Sequence, residues 1–515
     1  MLSSIAGQYA LIIFLGLLQA FALASPWNGE PNAWLQLAAL AGFLSTQQNI
    51  IHLKQRFVQT WVFATSWLVG SVWWLYISIH HFGGLPVVLT VVAILLLCGG
   101  LAIYYAMTVS FYFKFKKSHK TYISAGIFAS CWTLAELARA EFFTGFPWGA
   151  IGYAHVDSVL VTVAPWVGVY GVGWVAAYMS ACIASSLSNL KQDKKITKNL
   201  VISIAVLLFM VVPWQVNTSS DAKNFSVSLL QGNIAQDLKY TKSREQALQW
   251  YAEKAVQAET DLVVMPETAI AYLRQDIPNE EWQKISTHFS EGQKALIVGM
   301  PTFEKDKGFG NSAIALKASS EEYLYNKQHL VPFGEFIPKY FKWFNKMVNF
   351  GITDFIRGPL KPEPFVWNGQ NIAIQICYED LFGEELAQRF IVQKESIPSL
   401  LVNMSNIAWF GNTVVIPQHL HIARMRSVEL NRPTIRATNS GGTAIIDARG
   451  KIQAVAKPYT QTVLVGNVPA SDGRVTWFAQ WAGRWGLLPM WLFCAVIVLG
   501  LSVTGQRSRT ATQSH

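Results

Sequence analysis

Long apolar segments are the feature that most limits the folds open to this chain of 515 residues. Seven stretches of spanning length lie in the N-terminal part, and an eighth lies near the C-terminal end. They cover approximately 8–25, 33–51, 58–80, 85–110, 121–137, 160–188, 198–215 and 482–504. Because a transmembrane helix needs about 20 predominantly apolar residues, we expect a membrane α-helical bundle of about eight spans.

The composition is also that of a membrane protein. Hydrophobic residues make up 51% of the chain and charged residues only 14%, whereas soluble domains average about 25% charged residues. A net charge of +10 can indicate nucleic-acid binding. The lysines and arginines of the first 200 residues, however, fall in short runs between apolar segments, where membrane topology places them. We therefore expect no nucleic-acid partner.

The distribution of basic residues predicts the orientation in the membrane. The connections after the second, fourth and sixth spans and the C-terminal tail are basic, whereas the connections "SPWNGEPN" and "HHFGG" contain no Lys or Arg. The basic residues are Lys54, Arg56, Lys114, Lys116, Lys117, Lys120, Lys191, Lys194, Lys195, Lys198, Arg507 and Arg509. The positive-inside rule then places both termini in the cytoplasm and the segment 216–480 outside. In a Gram-negative cell this is the periplasmic side of the inner membrane.

A cleaved signal peptide is an alternative for the first span. The sequence "FALAS" has small residues at Ala22 and Ala24, a spacing that resembles a signal-peptidase site. No Lys or Arg precedes the apolar run, which suits a full span. We therefore favour an uncleaved first helix.

The aromatic connection at 138–157 permits two interpretations. Its sequence, "ARAEFFTGFPWGAIGYAHVD", is typical of an aromatic belt at the membrane surface. It also suits a floor beneath an external active site, in contact with lipid or substrate. Glu136 and Arg139 lie beside it, and we expect them to pair with each other rather than to perform chemistry.

Residues 216–480 have the pattern of a separate α/β domain. Short β-rich runs such as "DLVVMPE", "KALIVGMP" and "IAIQICYE" alternate with helical patterns such as "SREQALQWYAEKAVQA". Continuous apolar runs are typical of strands buried on both faces, so we expect layered sheets with helices packed outside. The predicted organisation is a transmembrane domain at 1–215, an external domain at 216–480, and a C-terminal span with a cytoplasmic tail at 481–515.

The placement of the cysteines distinguishes one of them. Cys98, Cys131, Cys182 and Cys494 lie inside apolar segments, and Cys377 is the only cysteine in the polar part of the chain. The polar part can therefore form neither an internal disulfide nor a metal site built from cysteines.

Three predicted strand ends each carry one reactive side chain. Glu267 follows "VVMP", Lys327 follows "YLYN" and Cys377 follows "IAIQI". Catalytic groups in α/β domains usually gather at strand ends. A thiol needs a base to take its proton during attack, and the resulting oxyanion needs donors. Glu267 can act as the base, and Lys327 with the Tyr378 backbone N–H can stabilise the oxyanion. Taken singly, each residue is more commonly a cap, a solvated lysine or a small core side chain.

The contexts of these residues resemble the nitrilase superfamily of carbon–nitrogen hydrolases. The carrying segments are "PETA", "YNKQHLVPFGE" and "CYED". The resemblance implies an α-β-β-α sandwich in which Glu267 is the base, Lys327 stabilises the oxyanion and Cys377 is the nucleophile. Such a domain preceded by a polytopic membrane unit and followed by one helix is similar to the apolipoprotein N-acyltransferase family. Further segments carry this likeness over nearly the whole chain, among them "QGNIAQDLKY", "NMSNIAWFGN" and "QHLHIARMRSVELNRPTIRATNSGGTA".

The resemblance also implies supporting residues. Glu335 matches the second glutamate of the family, which steadies the lysine or the tetrahedral intermediate, and Tyr378 and Glu379 match further positions needed for activity. Tyr240 is expected to contact substrate. Ile407 stands where many relatives have an acid, which places any role of an acid there in doubt. The triad needs no metal, so we expect no cofactor, and His419 and His421 are spaced unsuitably for one metal on a helix.

The implied reaction is a two-step acyl transfer through a thioester on Cys377. The acyl donor is the sn-1 ester of a phospholipid, with phosphatidylethanolamine expected. The acceptor is the N-terminal amine of the diacylglyceryl-cysteine of an apolipoprotein. The chain is expected to act as a monomer. Two alternatives stay open: a membrane-anchored amidase with the same triad, and a transporter or scaffold whose external domain only binds.

Overall fold

The computed structural model describes residues 4–115, 121–189, 225–239, 241, 243–318, 321–339, 342, 354–468 and 473–512. The chain divides into two compact units. One comprises Met1–Gln215 together with Trp485–His515, and the other is Val216–Arg484.

The first unit is helical. Its helices α1 to α6 are followed by a C-terminal helix, Leu488–Thr512. The bounds of α1 to α6 are Ile5–Phe21, Ala33–Gln47, Leu53–Val72, Val87–Phe115, Thr121–Glu141 and Ala164–Asn189. Local sequence sets some of these bounds: α2 begins after Asn32, whose side chain accepts the Leu35 N–H at 2.9 Å, as helix N-caps do.

Helices occupy the first six predicted spans, while the predicted span at 198–215 lies outside the described residues. Within the described ranges, two helical segments are long and apolar enough to cross a membrane, Val87–Phe115 and Val159–Leu187. The pair Trp477–Trp485 and Leu488–Gly500 reaches this standard only when taken together. The presence of membrane-spanning helices is therefore supported, and the total of eight stays a prediction.

The aromatic connection is tied down by two buried charged side chains of α5. Glu136 accepts the Ile151 N–H at 3.0 Å. Arg139 donates to the carbonyl oxygen of Phe146 at 2.9 Å and to that of Trp148. Glu136 and Arg139 interact electrostatically with each other, as expected, and both also bind the backbone of the connection, because peptide groups of a buried loop need hydrogen-bond partners.

The second unit contains two six-stranded sheets. The first has the order β12-β1-β2-β3-β4-β5 and the second β11-β10-β9-β8-β7-β6. The strands β1 to β12 are Phe225–Gln231, Leu262–Val264, Ala295–Glu304, Gly308–Leu316, Tyr323–Asn326, Phe365–Trp367, Gln370–Ile376, Leu400–Ser405, Thr434–Thr438, Ala444–Ile446, Ile452–Val455 and Thr462–Val468. The central strands β1-β2-β3 and β7-β8-β9 are parallel, and the outer pairs are antiparallel.

The two sheets enclose one hydrophobic core and carry helices outside. Side chains from both sheets fill the space between them, including Val227, Val264, Ile374 and Val402. The outer helices are α7 Arg244–Gln257, α8 Asn279–Glu291, α9 Gly383–Ala387, α10 Val415–Leu430 and α11 Trp477–Trp485. Because the central strands are buried on both faces, they read as the continuous apolar runs noted in the sequence. The predicted α-β-β-α sandwich is confirmed.

The sandwich determines where reactive residues emerge. The parallel strands β2, β7 and β8 end at Val264, Ile376 and Ser405, and the antiparallel β5 ends at Asn326. Register before the nucleophile is set by a two-residue turn between β6 and β7, Asn368 and Gly369, both at positive φ. Asn-Gly is the preferred sequence for such a turn.

Candidate active site

Cys377 lies at the point where β7 turns into a short 3₁₀ helix, Cys377–Leu381. Its φ of 52° is in the left-handed region, which costs a non-glycine residue about 1–2 kcal/mol. The residue is partly exposed, and the Asn403 side chain donates to its carbonyl oxygen at 3.3 Å. This backbone conformation is therefore held by neighbouring groups, as is common for residues that perform chemistry.

Lys327 is enclosed among the carboxylates of the site. Only 1% of this residue is exposed. Its Nζ lies 2.9 Å from Glu335 Oε1 and 3.7 Å from Glu267 Oε1. Burial opposes the charged ammonium, but Glu335, Glu267 and Cys377 outweigh it and raise the pKa of Lys327 above its usual value. The lysine is thus a permanent cation and a poor proton acceptor.

Asn311 holds both carboxylates with one amide group. Its Nδ2 donates to Glu267 Oε1 and to Glu335 Oε1, each at 2.7 Å. The second oxygen of Glu267 accepts the Asn406 backbone N–H at 2.8 Å, and the second oxygen of Glu335 accepts the Val331 N–H at 2.8 Å. Both carboxylates are therefore fixed in orientation.

The surroundings of Cys377 favour its protonated thiol. Burial of the sulfur raises the pKa of Cys377 most, followed by the negative charge of Glu267, while Lys327 acts in the opposite direction. At neutral pH the group is a thiol, and the thiolate is the nucleophile. Attack therefore requires a base that accepts the proton as the new bond forms.

Glu379 connects the short 3₁₀ helix Cys377–Leu381, named here the nucleophile turn, to the segment that carries Lys327. Its carboxylate accepts the backbone N–H groups of Gln328 at 2.7 Å, His329 at 3.2 Å and Ile376 at 2.5 Å. The Tyr325 hydroxyl donates to both oxygens at 2.8 Å. The carboxylate of this acid is thus occupied by structural donors.

Tyr378, between Cys377 and Glu379, is 7% exposed. Its ring lies 5.7 Å from that of His329 and 5.3 Å from that of Phe382. Aromatic packing therefore adds to the hydrogen bonds that fix the nucleophile turn.

The structure brings together Glu267, Lys327 and Glu335, which the sequence had singled out. Asn311, Asn406 and Lys239, which also lie there, were not predicted. Asn311 is a buried polar residue beside Ser312 in a strand that otherwise contains only glycine and apolar residues, and this pattern is visible in the sequence. Asn406 binds Glu267 through its backbone N–H. The type of its side chain therefore does not reveal this contact in the sequence.

Lys239 is a further buried cation near Glu267. Its Nζ donates to the Glu267 carbonyl oxygen at 3.3 Å. Burial lowers the pKa of Lys239 to about 8, although the charge of Glu267 opposes this change. Tyr240, the next residue and the predicted substrate contact, lies outside the described residues.

Across the described ranges of the chain, no group of three or more His, Cys, Asp and Glu side chains could hold a metal ion. His419, singled out in the sequence, is instead hydrogen-bonded to Asp380 at 2.8 Å.

Two family models match the chain. The model described as apolipoprotein N-acyltransferase N-terminal domain matches residues 15–182, and that described as carbon-nitrogen hydrolase matches residues 226–476. Among solved structures, an amidase from Nesterenkonia is 17% identical with a TM-score of 0.37, covering 50% of this chain and 92% of that chain. A carbon-nitrogen hydrolase from Helicobacter pylori is 18% identical with a TM-score of 0.36, covering 52% and 95%.

Curated relatives match over nearly the full length. An apolipoprotein N-acyltransferase from Verminephrobacter eiseniae is 40% identical over 94% of this chain and 94% of its own. Those from Ralstonia nicotianae and Neisseria meningitidis serogroup A are 35% identical over 90% and 88%, and 33% identical over 94% and 96%. These similarities show that the chain belongs to the apolipoprotein N-acyltransferase family.

Proposed function

We propose that this protein transfers an acyl chain from the sn-1 position of a phospholipid to the N-terminal amine of the diacylglyceryl-cysteine of apolipoproteins, the last step of lipoprotein maturation. One observation carries the proposal at the site. A buried cation, Lys327, lies against the carboxylates of Glu335 and Glu267 at 2.9 Å and 3.7 Å and interacts electrostatically with Cys377. Base, oxyanion stabiliser and nucleophile are thus available without a metal.

In the first step the thiol of Cys377 attacks the sn-1 carbonyl carbon. Glu267 takes the thiol proton as the carbon–sulfur bond forms, which suits a thiol with a raised pKa. Lys327 and the Tyr378 backbone N–H stabilise the oxyanion. The intermediate collapses, the ester C–O bond breaks, and Glu267 returns its proton to the leaving lysophospholipid oxygen. A thioester on Cys377 is left.

In the second step the acceptor amine attacks the thioester carbonyl. Glu267 removes a proton from the amine, and Lys327 again stabilises the oxyanion. The carbon–sulfur bond breaks, the sulfur regains a proton from Glu267, and the amide product leaves. The raised pKa of Cys377 means that the departing sulfur must be protonated as it leaves, and we assign this proton transfer to Glu267.

Supporting residues keep these groups in place. Glu335 orients Lys327 through their 2.9 Å contact. Glu379 fixes the nucleophile turn to the lysine-bearing segment, and Tyr378 supplies the backbone donor. Tyr240 is proposed to contact substrate, since it follows Lys239, a neighbour of Glu267.

The location proposed for this chemistry is the outer surface of the bacterial inner membrane. Eight spans, seven in a domain at 1–215 and one in a segment at 481–515, would hold a periplasmic catalytic domain at 216–480. Both substrates carry acyl chains and lie in the bilayer, so a membrane-anchored site reaches them directly. Phosphatidylethanolamine is the proposed donor, and the enzyme is proposed to act as a monomer.

The test is detection of the acyl-enzyme by intact-protein mass spectrometry. Purified protein in detergent is mixed with phosphatidylethanolamine carrying one defined sn-1 chain. We expect a mass increase of that acyl group on Cys377 that hydroxylamine removes, and no increase in Cys377→Ser. Adding a synthetic diacylglyceryl peptide should discharge the thioester into the peptide. Release of free fatty acid with no acylated peptide would instead support a membrane-anchored amidase or esterase.

A further inference from the structure

Asp380, His419 and Arg436 form a buried cluster that includes one residue of the nucleophile turn. The proposed mechanism does not use these three side chains. Asp380 lies in the turn itself, His419 on α10 and Arg436 on β9. The His419 Nε2 atom lies 2.8 Å from Asp380 Oδ1, and Arg436 Nη1 donates to Asp380 Oδ2 at 2.6 Å. Arg436 Nη2 lies 3.2 Å from His419 Nδ1, so the three side chains close a ring of contacts.

The contacts assign the protonation state of His419. Arg436 is a donor only, so His419 Nδ1 must accept, and Nε2 carries the proton that is donated to Asp380. Burial lowers the pKa of His419, although the carboxylate of Asp380 opposes this change. The cluster therefore consists of one carboxylate, one guanidinium and one neutral imidazole.

The cluster also reaches the backbone of Cys377. His419 interacts with a backbone group of Cys377, and the Asn403 side-chain amide donates to the Cys377 carbonyl oxygen at 3.3 Å. Cys377 has a φ of 52°, which a non-glycine residue adopts only where its surroundings impose it. Glu379 holds one side of the turn, and the cluster built on Asp380 holds the other.

Stability alone is a weak explanation for such a cluster. Asp380 and Arg436 are both 0% exposed, and a buried ion pair is often no more stabilising than apolar residues of similar volume. Asp380 lies three residues after Cys377. This location indicates that the cluster contributes to the geometry of the nucleophile turn.

We propose that Asp380, His419 and Arg436 are positioning residues that hold the backbone of Cys377 so that its thiol faces Glu267 and Lys327 during acyl transfer. This rests on the proposed function for the identity of the reaction. No member of the cluster touches the acyl group. When the carbonyl group of Cys377 is held in place, the direction of the Cys377 side chain is also fixed.

The variant that tests this is His419→Leu in the full-length enzyme, with His421→Leu as its matched control. His421 is a buried histidine on the same helix, and its Nδ1 lies 3.2 Å from Arg424. Arg424 in turn binds the Gly450 carbonyl oxygen at 2.7 Å, a group remote in sequence from the nucleophile turn. The rate constant of acyl-enzyme formation with phosphatidylethanolamine is measured per folded molecule, the folded fraction coming from thermal unfolding.

We expect His419→Leu to lower the rate constant about 100-fold, the effect of a misplacement of about 1 Å. His421→Leu should lose thermal stability without this loss of rate, and His419→Gln, which keeps one donor, should recover part of the rate. Equal rate constants for the His419→Leu and His421→Leu variants would overturn the proposal.

A second readout follows the thiol itself. Glu267, Lys327, Asp380 and Glu335 all act on the pKa of Cys377, and Asp380 raises it. The proposed cluster holds the thiol near Glu267 and Lys327, so His419→Leu should change the pH profile of Cys377 alkylation by iodoacetamide, whereas His421→Leu should leave that profile unchanged. If wild-type protein forms no acyl-enzyme at all, the proposed function fails, and the alkylation profiles of His419→Leu and His421→Leu still test whether the cluster positions Cys377.

Discussion

The two units of this protein use buried charge in different ways. In the helical unit, Glu136 and Arg139 satisfy backbone groups of the 138–157 connection, at Ile151 and Phe146. In the sandwich, Lys327 faces the carboxylates of Glu335 and Glu267. Charged side chains that bind peptide groups stabilise the conformation of a loop. Charged side chains that face one another beside a thiol can transfer protons and stabilise the charge that develops during a reaction. The comparison predicts that the first set affects folding and the second set affects rate.

Replacement of Lys327 should have the largest effect on rate. Lys327→Met removes the cation from both the oxyanion and the two carboxylates, so acyl-enzyme formation should fall about 1000-fold, as for loss of a main oxyanion donor. Lys327→Arg keeps the charge but changes its shape, so it should be intermediate. The measurement is single-turnover acylation followed by mass spectrometry. A Lys327→Met enzyme with the wild-type rate constant would remove Lys327 from the mechanism.

Asn311 should have the next effect. Asn311→Leu removes the amide that holds both Glu267 and Glu335 at 2.7 Å, so the base loses its orientation and acylation should fall about 10- to 100-fold. Asn311→Gln, with the amide moved by one methylene, is the matched variant and should fall less. If both the acylation rate and the thermal unfolding of Asn311→Leu were unchanged, the other contacts of Glu267 and Glu335 would be sufficient to orient these carboxylates.

Glu267 should separate catalysis from thiol reactivity. Glu267→Gln abolishes the base, so acyl transfer should fall to the background of the Cys377→Ser variant. Because the charge of Glu267 raises the pKa of Cys377, the same variant should alkylate faster with iodoacetamide at a given pH near 8, since one pKa unit corresponds to about a tenfold change in thiolate. Slower alkylation in Glu267→Gln would contradict this electrostatic arrangement. Lys327→Met should move alkylation in the opposite direction.

Arg139 should have the smallest effect on rate. Arg139→Leu leaves the carbonyl oxygens of Phe146 and Trp148 without this donor, which costs about 1–3 kcal/mol for each buried group left unsatisfied. We expect a lower unfolding temperature in detergent and an acylation rate constant per folded molecule equal to that of the wild type. A lower rate constant in a fully folded Arg139→Leu protein would show that the helical unit acts on the chemistry.

Much of the sandwich could be predicted because strands that are buried on both faces contain continuous runs of apolar residues. The strands β2 and β7 are buried on both faces and are therefore apolar throughout, and Asn368 and Gly369 mark the turn between β6 and β7. The grouping of Glu267, Lys327 and Glu335 followed from a rule about strand ends and from a family resemblance.

The contacts of the two acids after the nucleophile could not be predicted in this way. In the sequence, Glu379 and Asp380 closely follow Cys377. In the structure, Glu379 accepts bonds from Gln328 and His329, and Asp380 accepts bonds from His419 and Arg436. Partners 39 to 56 residues away along the chain leave no local pattern.

The sequence by itself determined the apolar helical segments, the alternation of strands and helices, the single cysteine of the polar part and the candidate residues for acyl transfer. These are local properties, because the hydrophobic periodicity and the chemistry of each residue can be identified from a short stretch of consecutive residues. Only the tertiary structure decided that one amide, Asn311, binds two carboxylates, that Lys239 is buried beside Glu267, and that His419 is hydrogen-bonded to Asp380. These contacts join side chains from separate strands and helices, and their geometry exists only once the two sheets have packed.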